Sequence, residues 1–322
     1  MGIAHDNSMT YRASAWLPGG QIQTLYPATF IVKPKVAYRR ERWDTPDGDF
    51  IDVDFVDGQP GKPLLVLFHG LEGSSDSHYA RAMMAGIAEL GWSGAVPNFR
   101  SCSGAINQAP RFYHSGDSAE LDWILRRMRT RAQGKLYAAG VSLGANVLLR
   151  WLGEFQHQAD IVDAACAISA PLDLAQSAST LASGFSKIYT KMFLLSLKTK
   201  CVLKLAQFPD LFDSKKLDAA DDLHSFDDLI TAPLHGYRDA NDYWNRASSK
   251  HVLNDITVKT LVLNAQNDPF LPSRFLPSSA SAAVTLEYPK EGGHAGFPTG
   301  CFPGKIDWLT KRVTQFLEVG AT

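Results

Sequence analysis

The chain has no long apolar run, no paired cysteines and almost no net charge, and each absence removes a class of protein. No stretch reaches the roughly 18 uncharged apolar residues of a membrane-crossing helix, so stable insertion into a bilayer is not expected, while peripheral contact with one is left open. Cys102, Cys166, Cys201 and Cys301 are scattered without a CxxC pair. Such spacing builds neither a zinc site nor a disulfide framework, and reduced, mostly buried thiols are expected. The 32 Lys plus Arg against 33 Asp plus Glu leave a formal charge of -1, which gives no field to draw in nucleic acid. Met1 to Thr10 offers neither the basic start nor the apolar run of a secretory signal. Asp6 stands where a myristoylation motif beginning at Gly2 needs Ser or Thr. A cytoplasmic location is therefore the expectation. What remains is ordinary: 322 residues, 45% hydrophobic and 20% charged, enough for one core carrying one insertion.

The order of elements sets the fold class. Segments 36–43 and 49–56 alternate like two strands around a turn at Pro46, Asp47 and Gly48, an antiparallel opening pair. Leu64 to Phe68 is a short, fully apolar run that suits a buried central strand. Helix signals near 77–90, 117–131 and 144–155 then alternate with strand signals near 92–97, 135–141 and 161–169. That alternation predicts a mostly parallel, doubly wound α/β sheet. Further strands are expected at 258–264 and 284–288, with a closing amphipathic helix at 304–318. The stretch 170–257 lacks strong strand signals, and we expect it to be a mainly helical cap inserted between core segments 1–169 and 258–322.

Gly140-Val141-Ser142-Leu143-Gly144 falls where the apolar strand gives way to a helical run. This is the setting of a nucleophile elbow, in which flanking glycines permit a sharp turn that exposes the serine hydroxyl. A serine hydroxyl is a weak nucleophile at neutral pH and needs a base, and the base needs an orienting acid. The chain order of such folds is Ser, acid, His. His294, in Gly292-Gly293-His294-Ala295-Gly296 after the last strand, is the candidate base. His251 also follows Ser142 but precedes the strand that should deliver the acid. Asp268 lies at the carboxyl end of that strand, where open sheets place their sites. Its competing reading is an Asx turn before Pro269, and Asp239 and Asp242 are distant reserves. Oxyanion-hole N–H donors are expected from Leu143 and from Leu71 in His69-Gly70-Leu71-Glu72-Gly73. His69 and Glu72 lack the partners of a zinc site; neither metal nor cofactor is expected.

Several segments together resemble the YheT-like hydrolases, relatives of mammalian abhydrolase-domain lipases and yeast ethanol acyltransferases. They are His69 to Ser74, Asn98-Phe99-Arg100-Ser101-Cys102-Ser103-Gly104, Tyr113-His114-Ser115-Gly116, the elbow, Thr231-Ala232-Pro233-Leu234-His235-Gly236 and Gly292-Gly293-His294. The resemblance spans nearly the whole chain and implies an α/β-hydrolase fold, a Ser142, Asp268, His294 triad and a carboxylic-ester or lipid-like substrate. Arg100, His114 and Asp117 belong to the loops that carry this resemblance. They are read either as supports of the site floor or, for Arg100 and Asp117, as an ion pair that pins loops.

The expected chemistry is hydrolysis of carboxylic esters, short- to medium-chain acyl or lipid-like, through an acyl-enzyme on Ser142. Transfer of the acyl group to an alcohol would use the same residues, and a non-catalytic binding protein on the same scaffold is the rival from another class. Lys187 to Phe208 mixes apolar residues with five lysines and no acid. It reads either as a lipid-facing amphipathic segment or as the underside of a lid with solvated lysines. The lack of Trp favours the lid.

Overall fold

The computed structural model describes residues 10–319; Gly2 and Asp6, weighed above for myristoylation, lie outside the described residues. The apolar runs become the strands of one sheet: β1 (Arg39–Asp44), β2 (Phe50–Val56), β3 (Leu64–Phe68), β4 (Ser93–Asn98), β5 (Leu136–Val141), β6 (Ala164–Ile168), β7 (Thr260–Leu263) and β8 (Val284–Glu287). Their spatial order is β1-β2-β4-β3-β5-β6-β7-β8. β2 pairs antiparallel with β1 and β4, and every other pair is parallel. Strands β3, β5, β6 and β7 are buried along their whole length, which is why their sequences are unbroken apolar runs.

Edge strand β1 reads RRERWD and exposes most of its charged side chains, a composition that discourages edge-to-edge pairing. Its register places Arg40 opposite Asp54 and Arg42 opposite Asp52. Each pair closes two-pronged at 2.7–2.9 Å, so the charges fix the register as well as the solubility of the edge.

Eleven helices are described: α1 (Gly20–Thr29), α2 (His78–Glu89), α3 (Ser118–Arg131), α4 (Leu143–Phe155), α5 (Leu174–Leu181), α6 (Lys187–Gln207), α7 (Ser214–Ala219), α8 (Leu223–Phe226), α9 (Ala232–Leu234), α10 (Ala240–Ala247) and α11 (Trp308–Glu318). α2 and α11 cover one sheet face through Met83, Met84, Ile87, Val313 and Leu317. α3 and α4 cover the other through Leu121, Ile124, Leu148 and Trp151. Every regular element between β6 and β7 is helical, including a π-helical turn at Asp227–Thr231. Among the described residues no helix is long and apolar enough to cross a membrane.

One element escapes the sequence reading and one local expectation needs correction. α1 has no counterpart in the sequence reading; it contains Pro27 and has no side-chain cap, so tertiary contacts hold it. Arg100 does not pair with Asp117. The buried guanidinium reaches Asp49 at 2.7 Å, Glu120 at 2.7 Å and Asp47 at 2.9 Å, whereas Asp117 takes Arg111. Burial pushes the Glu120 carboxyl upward, and the Arg100 charge opposes that rise. The Asp49–Arg100–Glu120 cluster ties the β1–β2 turn to α3 and to the loop after β4. Replacing Arg100 with Leu leaves Asp49 and Glu120 buried without their cation. We expect urea unfolding of R100L to show a loss of about 3–5 kcal/mol; a loss below about 1 kcal/mol would show the carboxylates to be satisfied without it.

Candidate active site

The sheet reverses its winding direction at β3, whose neighbours are β4 on one side and β5 on the other. Loops leaving the carboxyl ends of β3 and β5 therefore diverge and open a crevice, the usual ligand position in open α/β sheets. Ser142 sits there, between β5 and α4. Its backbone has φ 54° and ψ -120°, a region that L-residues rarely occupy and that the surroundings must enforce. A Cβ at Gly140 would lie 2.5 Å from the Gly144 carbonyl oxygen, and one at Gly144 would lie 2.4 Å from that of Phe68. Any side chain at these two positions would push β5, α4 and β3 apart.

The loop after β3 lies beside this turn. Three of its amides are engaged: Gly70 N–H donates to the Tyr79 hydroxyl, Glu72 N–H to the Tyr113 hydroxyl and Gly73 N–H to the Gly70 carbonyl. Leu71 N–H has no partner among the described residues. Leu143 opens α4, where the first amides have no intrahelical acceptor. Leu71, Ser142 and Leu143 line the same pocket.

His69 is fully buried and structural. Its Nε2 accepts from Phe99 N–H at 2.9 Å, which leaves Nδ1 as the donor to the Gly70 carbonyl at 2.8 Å. Both nitrogens are used within the fold, and burial pushes the imidazole down to about 4. Glu72 is a hub. Its carboxylate accepts from Tyr113 at 2.8 Å, from Lys200 at 2.8 Å and from Ser196, and its backbone has φ 56°. Lys200 also lies 3.3 Å from Cys102 Sγ, whose thiol is pushed up to about 11, chiefly by burial. Two side chains of α6 thus hold the residue next to Leu71.

His294 and Asp268 come together: Nδ1 lies 2.9 Å from Oδ2 and 3.2 Å from Oδ1. Asp268 also accepts from Phe270 N–H at 2.8 Å, so it makes the Asx turn and meets the histidine at once. The Phe270 ring stacks on the imidazole at 3.8 Å. No hydrogen bond joins Ser142 to His294 among the described residues; in ligand-free hydrolases such contacts are often long and tighten on binding. Asp239 caps α10 and Asp242 pairs with Arg246, and His251 lies in an exposed turn after α10. None of these three residues lines the pocket. His114 does line it, with its ring 4.2 Å from that of His235 and tilted by 43° to it.

The histidine loop rests on residues that sequence reasoning missed. Gln23 of α1 is fully buried, and its Oε1 accepts from Gly292 N–H and Asn267 Nδ2, both at 2.9 Å. Thr24 Oγ1 accepts from His294 N–H at 2.8 Å. A Cβ on Gly296 would lie 1.9 Å from the Gln23 carbonyl oxygen. The glycines noticed in the sequence are therefore the places where α1 touches the loop, but the sequence carries no sign of what touches them.

The pocket over Ser142 is walled by apolar side chains, among them Leu174, Ala178, Leu181, Phe193, Leu197 and Ile230, all from segments between β6 and β7.

Comparison with known proteins places the chain among the α/β hydrolases. A family description of the α/β hydrolase fold matches residues 63–300. "Putative esterase YheT" of Escherichia coli is 36% identical over 92% of this chain and 89% of its own length. "Phospholipase ABHD3" of mouse is 28% identical over 96% of this chain and 78% of its own. Among solved structures, the Pyrococcus furiosus esterase Pf2001 superposes with a TM-score of 0.56 at 15% identity, covering 90% of this chain and 97% of that one; at that identity the likeness is one of fold. Removing the buried amide of Gln23 (Q23A) deprives Gly292 N–H and Asn267 of their acceptor. We expect a loss of about 1–3 kcal/mol in thermal or urea unfolding, and an unchanged midpoint would mean that the loop is held from elsewhere.

Proposed function

Because this chain belongs to the α/β-hydrolase family, alongside the YheT-like proteins, we propose that it is a serine esterase acting on carboxylic esters with an acyl or lipid-like chain. The observation that carries this reading is the strained Ser142 lining an apolar pocket, with the Asp268–His294 pair on neighbouring loops at the same edge of the sheet.

In this reading Ser142 Oγ attacks the ester carbonyl while His294 Nε2 takes its proton, with Nδ1–H donating to Asp268. Asp268 fixes the tautomer and offsets the positive charge of the imidazolium. The oxygen of the tetrahedral intermediate takes its negative charge toward the amides of Leu71 and Leu143, which are preorganised because neighbouring loop amides are already bonded. Collapse breaks the carbonyl carbon–alkoxy bond, and the proton on His294 goes to the departing alcohol. Water, deprotonated by the same imidazole, then cleaves the acyl-enzyme and releases the acid. Phe270 restricts the imidazole to one plane, so little reorientation is needed between the two half-reactions.

The chain 170–257 acts as the cap in this proposal, since its apolar side chains form most of the wall that an acyl chain would meet. A relative named as a phospholipase supports a lipid-like ester over a small polar one.

Ser142→Ala and His294→Ala should each lower ester turnover by about 10⁴-fold or more with folding retained, as for one member of a cooperative set, and S142A should lose labelling by a fluorophosphonate probe. Near-normal turnover in S142A would sink the mechanism, and an unreactive wild-type protein would favour a binding role on this scaffold. A separate panel of p-nitrophenyl esters of graded chain length tests the cap. Phe193→Ala and Leu197→Ala should raise kcat/KM for long chains relative to short ones by roughly tenfold, and an unaltered preference would place the acyl chain elsewhere.

A further inference from the structure

α6 is a 21-residue helix with five lysines and no acidic residue, and its side chains divide into three faces. The inner face lines the pocket or anchors the helix: Phe193, Leu197, Lys200 and Cys201 border the cavity. Lys204 is completely buried and donates to the carbonyls of Asn107 and Ala109. The opposite face is apolar and exposed. Ile188, Met192, Leu195, Val202 and Leu203 form one stripe at helical spacing, continued by Phe185 just before the helix, with Leu195 74% and Phe185 59% exposed. Lys187, Lys191 and Lys198 follow the stripe along one flank. The side chains of Lys187 and Lys191 form no ion pair or hydrogen bond among the described residues, and that of Lys198 reaches only the Asp218 carbonyl. The stripe is extended by exposed Ile22 of α1, whose neighbour Gln21 bonds Ser186 and Tyr189 at the start of α6.

An outward apolar stripe with a one-sign basic flank matches a surface that is apolar within and anionic at its rim. We propose that the outer face of α6 docks on an anionic lipid surface, with Phe185, Ile188, Met192 and Leu195 entering the acyl boundary and Lys187 and Lys191 meeting the headgroup charge. The same helix carries the pocket wall on its other side, so docking would set the cavity over Ser142 directly above the source of an acyl chain. A second copy of this chain fits the face less well. Antiparallel pairing of two α6 stripes puts the same flank of both helices on one side, so the lysines of one copy run beside those of the other, with Lys191 nearest Lys198 of the second copy.

This proposal does not rest on the esterase reading, because the docking residues lie outside the pocket and binding is measured without turnover. The full chain is sedimented with vesicles of phosphatidylcholine alone or mixed with phosphatidylserine, and p-nitrophenyl butyrate hydrolysis is followed in parallel. Expected are binding to the anionic vesicles only, weakened by added salt, and a drop of about fivefold for each of Lys187→Gln and Lys191→Gln. The double variant Met192→Ser with Leu195→Ser should reduce binding by at least about tenfold. Any turnover of the soluble ester should be unchanged in all of these variants. Absence of binding to anionic vesicles, equal binding to neutral ones, or binding indifferent to the substitutions would overturn the proposal. So would sedimentation-equilibrium dimers in lipid-free buffer that the serine pair abolishes, since the face would then belong to a second copy.

Discussion

The arrangement depends on one steric constraint, the near contact of three backbones at Ser142. β5, α4 and the end of β3 approach so closely at Gly140 and Gly144 that hypothetical Cβ atoms would meet carbonyl oxygens at 2.4–2.5 Å. For β3 to be that near, it must be the direct neighbour of β5, and the two are paired over Leu64–Phe68 and Leu136–Gly140. The loop leaving β3 is then bound to lie beside the turn leaving β5. The juxtaposition of Leu71, Ser142 and Leu143 is thus a consequence of strand order, and strand order follows from which residues can tolerate the contact.

Much of this was legible because it is written in local chemistry. The apolar runs of β3, β5, β6 and β7, the glycines around Ser142 and the sequence order of Ser142, Asp268 and His294 are local or nearly local patterns. What escaped was the set of long-range supports. α1 has a weak apolar pattern and an internal Pro27, and Gln23 is an ordinary polar residue until Gly292 and Asn267 bond to it. In the sequence Asp117 looks like the natural partner of Arg100, whereas the carboxylates that Arg100 meets sit on a hairpin turn and on α3. The lysines of α6 look alike in sequence, yet Lys187 and Lys191 are exposed while Lys204 is buried. Only the rotation of the helix separates them.

Glu72 joins two regions that the sequence keeps far apart. It receives Tyr113 from the loop before α3 and Ser196 and Lys200 from α6. The Lys200–Glu72 pair is largely shielded from water, so removing one partner leaves a charge that the interior does not solvate. The wall of the pocket and the loop bearing Leu71 are consequently one mechanical unit, and a displacement of α6 cannot leave that loop untouched.

The burial of Lys204 has a consequence for anyone who would alter this protein. An ammonium enclosed by the carbonyls of Asn107 and Ala109 and by Gln207 is a plug fitted to a socket, and the socket belongs to the loop after β4. The segment between β6 and β7 is therefore not a cassette that can be exchanged among homologous scaffolds by cutting at its ends. A graft that carries α6 without residues 107–109 and Glu72 would bring two cations into a host with no place to put them.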